Sequence, residues 1–444
     1  MKYLNIIEYI EKLAASDRLR QGDRLPSIRA VADRFGCNKS TVVRAYRELE
    51  LNHRVYTIPK SGFYLVGNNN PESKDKFGAI DFSTAMPDPK LLPYREFNHS
   101  INKAIEMYKQ ELFSYNDAQG LKSLREVMVR FFSDYQIFTT AEKIFITSGS
   151  QQGLSILSGM SFPNGRKNIL VEQPTYGEML RWLELNKYPV VGIDRDENGI
   201  DFNELEKLFK HGDIKFFYTI PRLHNPLGTG YSEKEKMKIV ELAEKYDVYI
   251  VEDDYLGDLD TNKKALPLHY YDIDERVIHV RSFSKSFMPG IRIGAVILKE
   301  QLKTEFLKFK RCNDLNTSVL AQGSLEIFIN SGMYNSHVKK AQLEYRKKMN
   351  CLRENIRRID TKAMVPFIPE TGFFVWIKLP ETMNMDKYVN RLKERKIYVS
   401  PSESFYIEQK AKQKAIRICI SRLTKEDIGS GIQILFEEMN RLID

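Results

Sequence analysis

Short apolar runs that alternate with segments of helical length constrain the fold of this 444-residue chain more than any other feature. Runs at 168–171, 215–219, 248–251, 277–280 and 293–298 are rich in β-branched or aromatic residues. Continuous apolar runs of this kind are typical of strands that are buried on both faces in a mainly parallel sheet. The sequence therefore predicts an α/β domain with helices on both faces of the sheet.

The segments around this domain predict how the chain is divided. From about residue 340, a long charged helix precedes two further apolar runs, which predicts a smaller α+β subdomain over about 340–444. A polar, proline-containing stretch without periodicity is interpreted as a linker over 67–78. The predicted organisation is therefore a small domain over 1–66, the linker, and a large domain over 79–444, which suits the length of the chain.

The first 66 residues have the pattern of two short helices followed by a hairpin. Ser27 is in position to cap one helix, Gly36 to end it, and a second helix begins around Lys39. Two short helices joined by a tight, glycine-containing turn are typical of a helix-turn-helix. The runs 54–58 and 62–66 predict a β-hairpin wing after it.

Positive charge is concentrated in this small domain. Residues 1–66 contain 12 Lys/Arg against 7 Asp/Glu, whereas the other 378 residues supply only +4 of the net charge of +9. Ser40 and Thr41 at a helix N-terminus, together with the exposed amides there, suit phosphate groups. The alternative is an ordinary cap on a solvated pair of helices. Arg44 suits either a DNA contact or a surface salt bridge.

A lysine among hydroxyl residues follows one of the apolar runs, in the segment 282–294. An amine at the end of a buried strand can form a Schiff base with an aldehyde cofactor. The serine hydroxyls and Arg292 nearby suit the phosphate of such a cofactor. Lys285 is therefore the candidate covalent attachment point.

Four other strand ends carry polar groups. The segment 147–150 opens a helix and suits either an anion site or a plain N-cap. Tyr176 follows a strand and suits either a cofactor-stacking role or a core or surface position, and Asn225 lies on a Pro/Gly turn. The acids of 252–254 end a buried run and need a partner, either a protonated pyridine nitrogen, a metal ion or solvent.

The N-terminal string Arg24-Leu-Pro-Ser-Ile-Arg29, followed by Lys39-Ser-Thr-Val-Val-Arg44-Ala-Tyr-Arg-Glu-Leu49, resembles the winged helix-turn-helix of the GntR family, over nearly all of residues 1–66. Lys39 stands where the family often has arginine, and it lacks the bidentate fork of arginine. The resemblance implies DNA-contacting positions at Arg29, Lys39, Ser40, Thr41, Arg44 and, at the tip of the wing, Gly62.

The strand-end residues together resemble those of the fold-type I aminotransferases over about residues 80–440, and the whole chain resembles the MocR subfamily of GntR regulators. The resemblance implies that Lys285 holds pyridoxal 5′-phosphate as an internal aldimine and that Asp253 pairs with its pyridine nitrogen. Asp253 is chosen over Asp254 because of its two-residue interval to Tyr255. The other implied cofactor contacts are Tyr176 on the ring, Asn225 and Tyr255 at the phenolic oxygen, and Ser148, Gly149, Ser150, Ser282 and Arg292 at the phosphate.

The same resemblance implies an effector site and a dimer. Arg417 matches the arginine that forks onto the carboxylate of an amino-acid ligand. Tyr115 matches a residue that reaches the phosphate in the neighbouring subunit, which implies a homodimer with shared sites; the alternative is a surface turn. Members that sense γ-aminobutyrate have an arginine where this chain has Glu178, so a different effector is expected. Glu178 suits either a second cationic group on the ligand or a salt bridge with Arg181.

The function expected from these patterns is a DNA-binding, pyridoxal-phosphate-dependent transcriptional regulator. It would sense an amino-acid-like or amine effector through an external aldimine at Lys285. An active aminotransferase with an accessory DNA-binding domain is the alternative, since the residues for slow half-reactions are present. A DNA-tethered scaffold with a vestigial pocket is a third, weaker interpretation.

Location and metal binding are predicted from simpler features. No run of about 18 apolar residues occurs, and the N-terminus lacks an apolar signal core, so neither a membrane span nor secretion is expected. The four cysteines are isolated and show no metal-type spacing. A reduced cytoplasm and no metal site are therefore expected.

Overall fold

The computed structural model describes residues 2–14, 19, 22–52, 54–58, 61–66, 78–262, 264–359, 361 and 366–443. The chain divides into two compact units, Met1–Phe77 and Gly78–Asp444. The linker predicted over 67–78 lies outside the described residues apart from Gly78.

The first unit is a helical domain with a hairpin, as the sequence predicts. The Ser27 hydroxyl accepts a hydrogen bond of 3.2 Å from the Ala30 amide, and Gly36 ends that helix with a left-handed φ of 53°. The two strands pair antiparallel from Val55–Leu65 to Ile58–Gly62. The elements are α1 Lys2–Ala14, α2 Ile28–Phe35, α3 Lys39–Leu51, β1 Val55–Ile58 and β2 Gly62–Leu65.

Tyr46 joins the parts of this unit. Its ring is buried and stacks on Phe63 of β2 at a centroid distance of 4.4 Å, and its hydroxyl donates to the Pro26 carbonyl at 2.6 Å. Apolar side chains from α1 and α3, such as Ile6 and Val42, complete the core. The buried residues of α3 begin at Val42, so Lys39 and Ser40 at the start of the helix remain exposed.

The second unit contains the predicted alternation of strands and helices. Its helices are α4 Tyr94–Tyr108, α5 Lys122–Asp134, α6 Ser150–Gly159, α7 Gly177–Leu185, α8 Phe202–His211, α9 Glu233–Lys245, α10 Glu300–Asp314, α11 Val319–Asn330, α12 Met333–Arg357, α13 Met385–Glu394 and α14 Lys425–Ile443. Its strands are β3 Ile80–Asp81, β4 Ile144–Thr147, β5 Asn168–Gln173, β6 Val190–Asp196, β7 Gly199–Ile200, β8 Ile214–Thr219, β9 Tyr249–Asp254, β10 Val277–Ser282, β11 Gly294–Ile297, β12 Phe374–Lys378, β13 Ile397–Tyr398, β14 Ser400–Pro401 and β15 Ala415–Cys419.

A mixed, mostly parallel sheet forms the centre of this unit. Among the described residues it has eight strands in the order β4-β11-β10-β9-β8-β5-β6-β7. Strands β10, β9, β8, β5 and β6 run parallel to one another. Strand β11 runs antiparallel to both β10 and β4, and β7 forms an antiparallel edge with β6. The predicted α/β fold is therefore confirmed.

Both faces of the sheet are covered. Alternate residues of a strand point to opposite faces, so Phe216 and Tyr218 of β8 pack with α6 and α7, whereas Phe217 packs with α8 and α9. Every residue of β8, β9 and β10 is buried. This burial explains why these strands have continuous apolar runs instead of an alternating pattern.

A smaller sheet follows toward the C-terminus. Among the described residues it has three antiparallel strands in the order β12-β15-β14, with α12, α13 and α14 packed around them. Within the part of the chain that the structure describes, no helix is both long enough and apolar enough to span a bilayer.

Candidate functional site

A pocket lies where the parallel strands of the central sheet end. In parallel sheets with helices on both faces, ligands bind at the carboxyl ends of the strands. Residues from five strand ends meet here, joined by residues from the small sheet. The pocket is lined by Ala85, Ser150, Tyr176, Ile220, Asn225, Asp253, Tyr255, Ser282, Lys285, Phe374 and Arg417.

Lys285 comes three residues after β10 and points into this pocket. Its ammonium donates a hydrogen bond to the Ala85 carbonyl. Burial lowers the pKa of Lys285 below its usual value, and the guanidinium groups of Arg417 and Arg292 act in the same direction. A larger fraction of this amine is therefore neutral, which is the nucleophilic form.

Asp253 in β9 presents an unsatisfied acceptor to the pocket. Its Oδ2 accepts a hydrogen bond of 2.9 Å from the hydroxyl of Tyr218 in β8, whereas its Oδ1 is buried and has no partner among the described residues. Burial raises the pKa of Asp253 to about 7, and the neighbouring carboxylates of Asp254 and Glu252 add to this rise. A buried carboxylate oxygen without a donor fits a cationic ring nitrogen.

The neighbouring Asp254 has the opposite environment. It is buried on the other side of β9 and accepts hydrogen bonds from Arg222, at 2.6 Å to its Oδ2, and from Arg281. Burial alone would raise the pKa of Asp254, but the two arginines outweigh burial and hold that pKa well below its usual range. Asp254 is therefore committed to a structural ion pair, and Asp253 is the acid that faces the pocket.

An anion-binding arrangement lies at one end of the pocket. Gly149, with a φ of 76°, caps α6, so the first amides of α6 have no side-chain cap there. The Arg292 guanidinium donates to the Ser148 carbonyl and to the Ser284 hydroxyl, both at 3.3 Å. A Cβ at position 149 would lie only 2.6 Å from Arg292 Nη2, so glycine permits this close approach. Free amides, hydroxyls and a guanidinium together suit a phosphate.

Ser282 and Ser150 stand beside this arrangement. The Ser282 hydroxyl, at the end of β10, accepts a hydrogen bond of 3.2 Å from the Ser284 amide. Ser150 is the first residue of α6 and also lines the pocket. The predicted phosphate contacts are therefore close together in the structure.

Two tyrosines and an asparagine line the remaining walls. The Tyr255 hydroxyl donates to the Leu223 carbonyl at 2.9 Å, which leaves its lone pairs to accept a hydrogen bond. Asn225 Oδ1 accepts from Arg417 Nη1 at 3.1 Å. Tyr176 precedes α7 and contributes its partly buried ring to the wall.

Arg417 reaches the pocket from the small sheet, on β15. Its Nη2 donates to the Ser83 carbonyl at 2.7 Å and to the Ser400 hydroxyl at 3.1 Å, and its guanidinium lies 4.6 Å from the centre of the Phe374 ring. Its Nε is buried and has no partner among the described residues. Arg417 is therefore held in place and has a donor left for a ligand.

Two predicted residues belong neither to the pocket lining nor to the anion-binding arrangement beside it. Tyr115 is 86 % exposed and far more open to solvent than the pocket residues. Glu178 pairs with Arg181 at 3.1 Å on the surface of α7, which is one of the two arrangements that its sequence position suggests. Neither residue is among those that line the pocket.

The predicted DNA-contacting residues lie on the surface of the first unit. Lys39 and Ser40 are exposed in the first turn of α3, and the N-cap residue Asn38 makes no side-chain cap bond to the amides of that turn. Arg44 lies over the Tyr3 ring at 4.4 Å, instead of forming a salt bridge among the described residues. Arg29 on α2 is exposed, Thr41 is partly exposed, and Gly62 at the start of β2 has a φ of 126°.

Several pocket residues were not predicted from the sequence. Ala85, Ile220 and Phe374 line the pocket through the path of the backbone, and their residue types carry no functional signal. Tyr218 does carry a sequence signal, because a hydroxyl inside a fully buried apolar strand must find a hydrogen-bond partner. In the structure that partner is Asp253. Among the described residues, no cluster of three or more His, Cys, Asp or Glu has a geometry suited to a metal ion.

Comparison with protein families matches both units. Residues 2–65 match the family described as bacterial regulatory proteins, gntR family, and residues 90–435 match aminotransferase class I and II. An uncharacterized HTH-type transcriptional regulator of Bacillus subtilis, YcxD, is 41 % identical over 442 residues, covering 99 % of this chain and all of its own length. Aromatic-amino-acid aminotransferase 1 of Thermococcus litoralis is 27 % identical and covers 81 % of this chain and 87 % of its own.

Among solved structures, the kynurenine aminotransferase of Pyrococcus horikoshii, crystallised in complex with PMP, superposes with a TM-score of 0.77. The two chains are 26 % identical, and the match covers 83 % of this chain and 92 % of that one. The second unit therefore has the aminotransferase fold. Relatives that match nearly the whole chain, YcxD among them, bear names of HTH-type transcriptional regulators.

Proposed function

The chain belongs to the MocR subfamily of GntR regulators, in which a DNA-binding winged helix-turn-helix is fused to an aminotransferase-like domain, and we propose that its DNA binding responds to an amino-acid-like or amine effector bound with pyridoxal 5′-phosphate at Lys285. One observation carries this proposal. The Lys285 amine lines the same pocket as Asp253, whose Oδ1 has no partner among the described residues, in a chain whose other unit is a DNA-binding domain.

The donor and acceptor groups of the pocket match the chemistry of that cofactor. Pyridoxal 5′-phosphate supplies an aldehyde that condenses with amines and a ring that withdraws electrons when its nitrogen is protonated. Asp253 Oδ1 suits the ring nitrogen, and Lys285 suits the aldehyde. The first amides of α6, Ser282 and Arg292 suit the phosphate. Tyr176, Asn225 and Tyr255 would surround the ring.

The effector would be bound by Lys285 and Arg417. The lowered pKa of Lys285 keeps its amine ready to accept or release a proton at the pocket floor. Arg417 Nε has no partner within the part of the chain that the structure describes, and the guanidinium would bind the carboxylate of an amino-acid-like effector. Phe374 lies against the Arg417 guanidinium and would exclude water from that contact.

Binding must also alter the conformation of the second unit if it is to regulate DNA binding. A ligand shifts an equilibrium only through a difference between its affinities for two states. Arg417 belongs to the small sheet, and its hydrogen bonds reach Asn225, on the loop after β8, and Ser83. A carboxylate bound by Arg417 would therefore favour the conformation in which the small sheet is drawn onto the pocket.

We further propose that the protein works as a homodimer in which Tyr115 contributes to the pocket of the partner subunit. Tyr115 and nearby Phe113, at 86 % and 70 % exposure, are large aromatic side chains left open to solvent, which suits an interface. The test mixes a Lys285→Ala chain with a Tyr115→Ala chain. A shared site predicts that one of the two pockets in the mixed dimer regains normal cofactor affinity, and no recovery would contradict it.

Glu178 supports the proposal that the effector is not γ-aminobutyrate. Its position on α7, two residues after Tyr176, is occupied by a carboxylate paired with Arg181, so it offers no positive charge to a distant carboxylate. The cofactor-bound protein can be titrated with γ-aminobutyrate, α-amino acids and diamines while its visible absorbance is followed. The change in absorbance should be smallest with γ-aminobutyrate. A response to diamines that Glu178→Gln removes would assign Glu178 to the second amine.

An active aminotransferase with an accessory DNA-binding domain remains the second candidate function. The observation that favours it is that the pocket keeps the lysine, the acid and the arginine together. The relatives from Thermococcus litoralis and Pyrococcus horikoshii bear names of aminotransferases. Rapid steady turnover of an amino acid with a keto acid would favour this candidate over a regulator.

The main experiment uses the purified full-length chain. The proposal expects a visible absorbance band that borohydride bleaches, together with salt-sensitive binding to the DNA upstream of its own gene. A sensor also requires that an effector change both the absorbance and the DNA affinity. A colourless protein that fails to retain added pyridoxal 5′-phosphate would overturn the cofactor assignment. We propose the cytoplasm as its location, because a transcriptional regulator must reach chromosomal DNA.

A further inference from the structure

The positive charge of the second unit is concentrated on one helix. Helix α12, with its C-cap residue Arg358, carries eight Lys/Arg and two Asp/Glu. Residues 67–444 have a net charge of only +4, so the rest of that region is slightly negative. A charge distribution of this kind is a local feature and does not follow from the overall composition.

Most of these cations share the solvent-facing side of α12. The opposite side buries apolar residues such as Val338, Tyr345 and Leu352 against the core of the unit. The exposed cations form what we call the α12 stripe, which comprises Lys339, Lys340, Arg346, Lys347, Arg357 and Arg358. At a rise of 1.5 Å per residue, the stripe is about 28 Å long.

The stripe is poorly neutralised by the protein itself. Lys347 pairs with Glu344 at 2.6 Å, whereas the other five members form no ion pair within the described residues. Lys348, in contrast, lies on the buried side and pairs with Asp88 at 2.7 Å. The positive charge of the stripe is therefore available to an external polyanion.

We propose that the α12 stripe binds the phosphate backbone of double-stranded DNA next to the site held by the winged helix-turn-helix. The inference rests on DNA binding by the first unit and does not depend on the cofactor. Duplex DNA complements a row of cations because it carries one negative charge per about 1.7 Å of its axis. The two units belong to one chain, so DNA bound by the first is at high effective concentration for the second.

The length and chemistry of the stripe predict how it would act. About 28 Å corresponds to about eight base pairs at 3.4 Å per base pair. Lysine and arginine contacts to phosphates position a protein on DNA but do not read its sequence. The stripe would therefore extend the protected DNA beyond the specific site and increase affinity without changing specificity.

The test compares two triple variants of the full-length chain. Lys339→Gln, Arg346→Gln and Arg357→Gln remove three cations along the stripe. The matched control, Lys207→Gln, Lys210→Gln and Lys234→Gln, removes three exposed cations from α8 and α9. Both variants lose the same net charge, so a general electrostatic effect would be equal in the two. Circular dichroism and thermal unfolding establish that each variant is folded.

The measurement is the affinity for the DNA upstream of the protein's own gene as a function of salt. For the stripe variant we expect the slope of log K against log salt to fall by about 0.9 per lost phosphate contact, or up to about 2.7 for three. We also expect at least a tenfold weaker binding near 0.15 M salt and a shorter footprint. The control variant should behave like the wild type, and scrambling the flanking sequence should have no effect.

Other results would overturn the proposal. If the stripe variant keeps the wild-type slope and footprint, the stripe does not contact DNA. If the stripe instead mediates binding of the wild type to phosphatidylglycerol vesicles while the DNA slope is unchanged, its partner is a membrane. Failure of the DNA-binding assignment itself is distinguishable, because then neither the wild type nor the control would bind the DNA.

Discussion

The pocket of the second unit and the first turn of α3 both offer polar groups to a charged ligand, but they do so in opposite ways. Asp253 and Arg417 are 3 % and 7 % exposed, and each has one polar atom without a partner among the described residues. Lys39 and Ser40 are exposed to solvent. Buried charges act over short distances with little screening, whereas exposed charges act through solvent and are weakened by salt.

The difference means that the two regions should respond to different experimental variables. Burial perturbs the pKa of Asp253 and Lys285, so cofactor binding should depend on pH and on the shape of the pocket. In the first turn of α3, Lys39 and Ser40 are exposed instead, so DNA binding should depend mainly on ionic strength.

The largest expected effect comes from removing the attachment point. Lys285→Ala should abolish the visible absorbance that borohydride bleaches, because no amine would remain to hold the aldehyde. DNA binding without an effector should persist, since Lys285 lies in the second unit. Absorbance spectroscopy and a DNA-binding assay on the same preparation measure both. A variant that keeps the bleachable band would show that another lysine holds the cofactor.

Substitution of the two adjacent aspartates of β9 should have different effects, on stability for Asp254 and on cofactor binding for Asp253. Asp254→Asn leaves Arg222 and Arg281 buried without their shared carboxylate, and breaking a buried ion pair in this way lowers the free energy of unfolding by about 3–5 kcal/mol. Asp253→Asn should leave stability at pH 5 nearly unchanged but weaken cofactor binding. Chemical denaturation and cofactor titration separate the two effects. Equal losses of stability in both variants would contradict the distinction.

Asp253 should also make the stability of the cofactor-free chain depend on pH. Its pKa is raised from 3.8 to about 7, so the folded state holds this proton more tightly than the unfolded state. The resulting destabilisation is absent below about pH 4, grows between pH 4 and 7, and reaches up to roughly 4 kcal/mol above pH 7. Burial lowers the pKa of His224 and of His269 from 6.5 to about 4, so these two groups make the chain more stable as pH rises over much of the same range. The difference in thermal unfolding midpoint between Asp253→Asn and the wild type isolates Asp253. It should shift in favour of the variant from pH 4 to pH 7, because asparagine has no proton to lose.

Structural features that depend on local sequence could be predicted, whereas features that depend on long-range pairing could not. The strands that are buried on both faces could be predicted because their apolar runs are continuous, as in β8 and β10. Short strands such as β3 and β13 pair across a long stretch of sequence, Ile80 with Ile397, and no local pattern marks them. The cap at Ser27 could be predicted because its hydrogen bond is local.

The same distinction between local and long-range features applies to the pocket. Lys285 and Asp253 stand in recognisable motifs, but the free oxygen of Asp253 depends on Tyr218, which is 35 residues away in sequence. Likewise, the interval to Tyr255 favours Asp253, but the reason that Asp254 is unavailable is the pair of arginines from other segments. Long-range partners decide the charge state of each acid, and a single sequence does not contain that information.

A smaller effect is expected at the DNA-binding surface. Lys39→Gln should weaken binding to the upstream DNA about tenfold and reduce the salt slope by about 1, because one phosphate or guanine contact is lost. Cofactor absorbance should not change. Lys12→Gln is a suitable control, since Lys12 is exposed on α1 and paired with Glu8. A change in the cofactor spectrum of Lys39→Gln would show that the two regions are not independent.

The smallest effect should come from Tyr218, which acts on the cofactor only through Asp253. Tyr218→Phe removes the hydroxyl that donates to Asp253 Oδ2 at 2.9 Å. Because that donor stabilises the carboxylate, the pKa of Asp253 should rise further, and cofactor affinity should fall by up to about tenfold, the size of one hydrogen bond to a charged group. Tyr388→Phe removes an equally buried hydroxyl that donates to the Leu435 carbonyl at 3.0 Å, and serves as the control. In the cofactor-free chain, Tyr218→Phe should shift to higher pH the range over which deprotonation of Asp253 lowers stability, because Tyr218 contacts Asp253 directly. Tyr388→Phe should leave that range unchanged. An equal shift in Tyr388→Phe would mean that Tyr218 has no specific influence on Asp253.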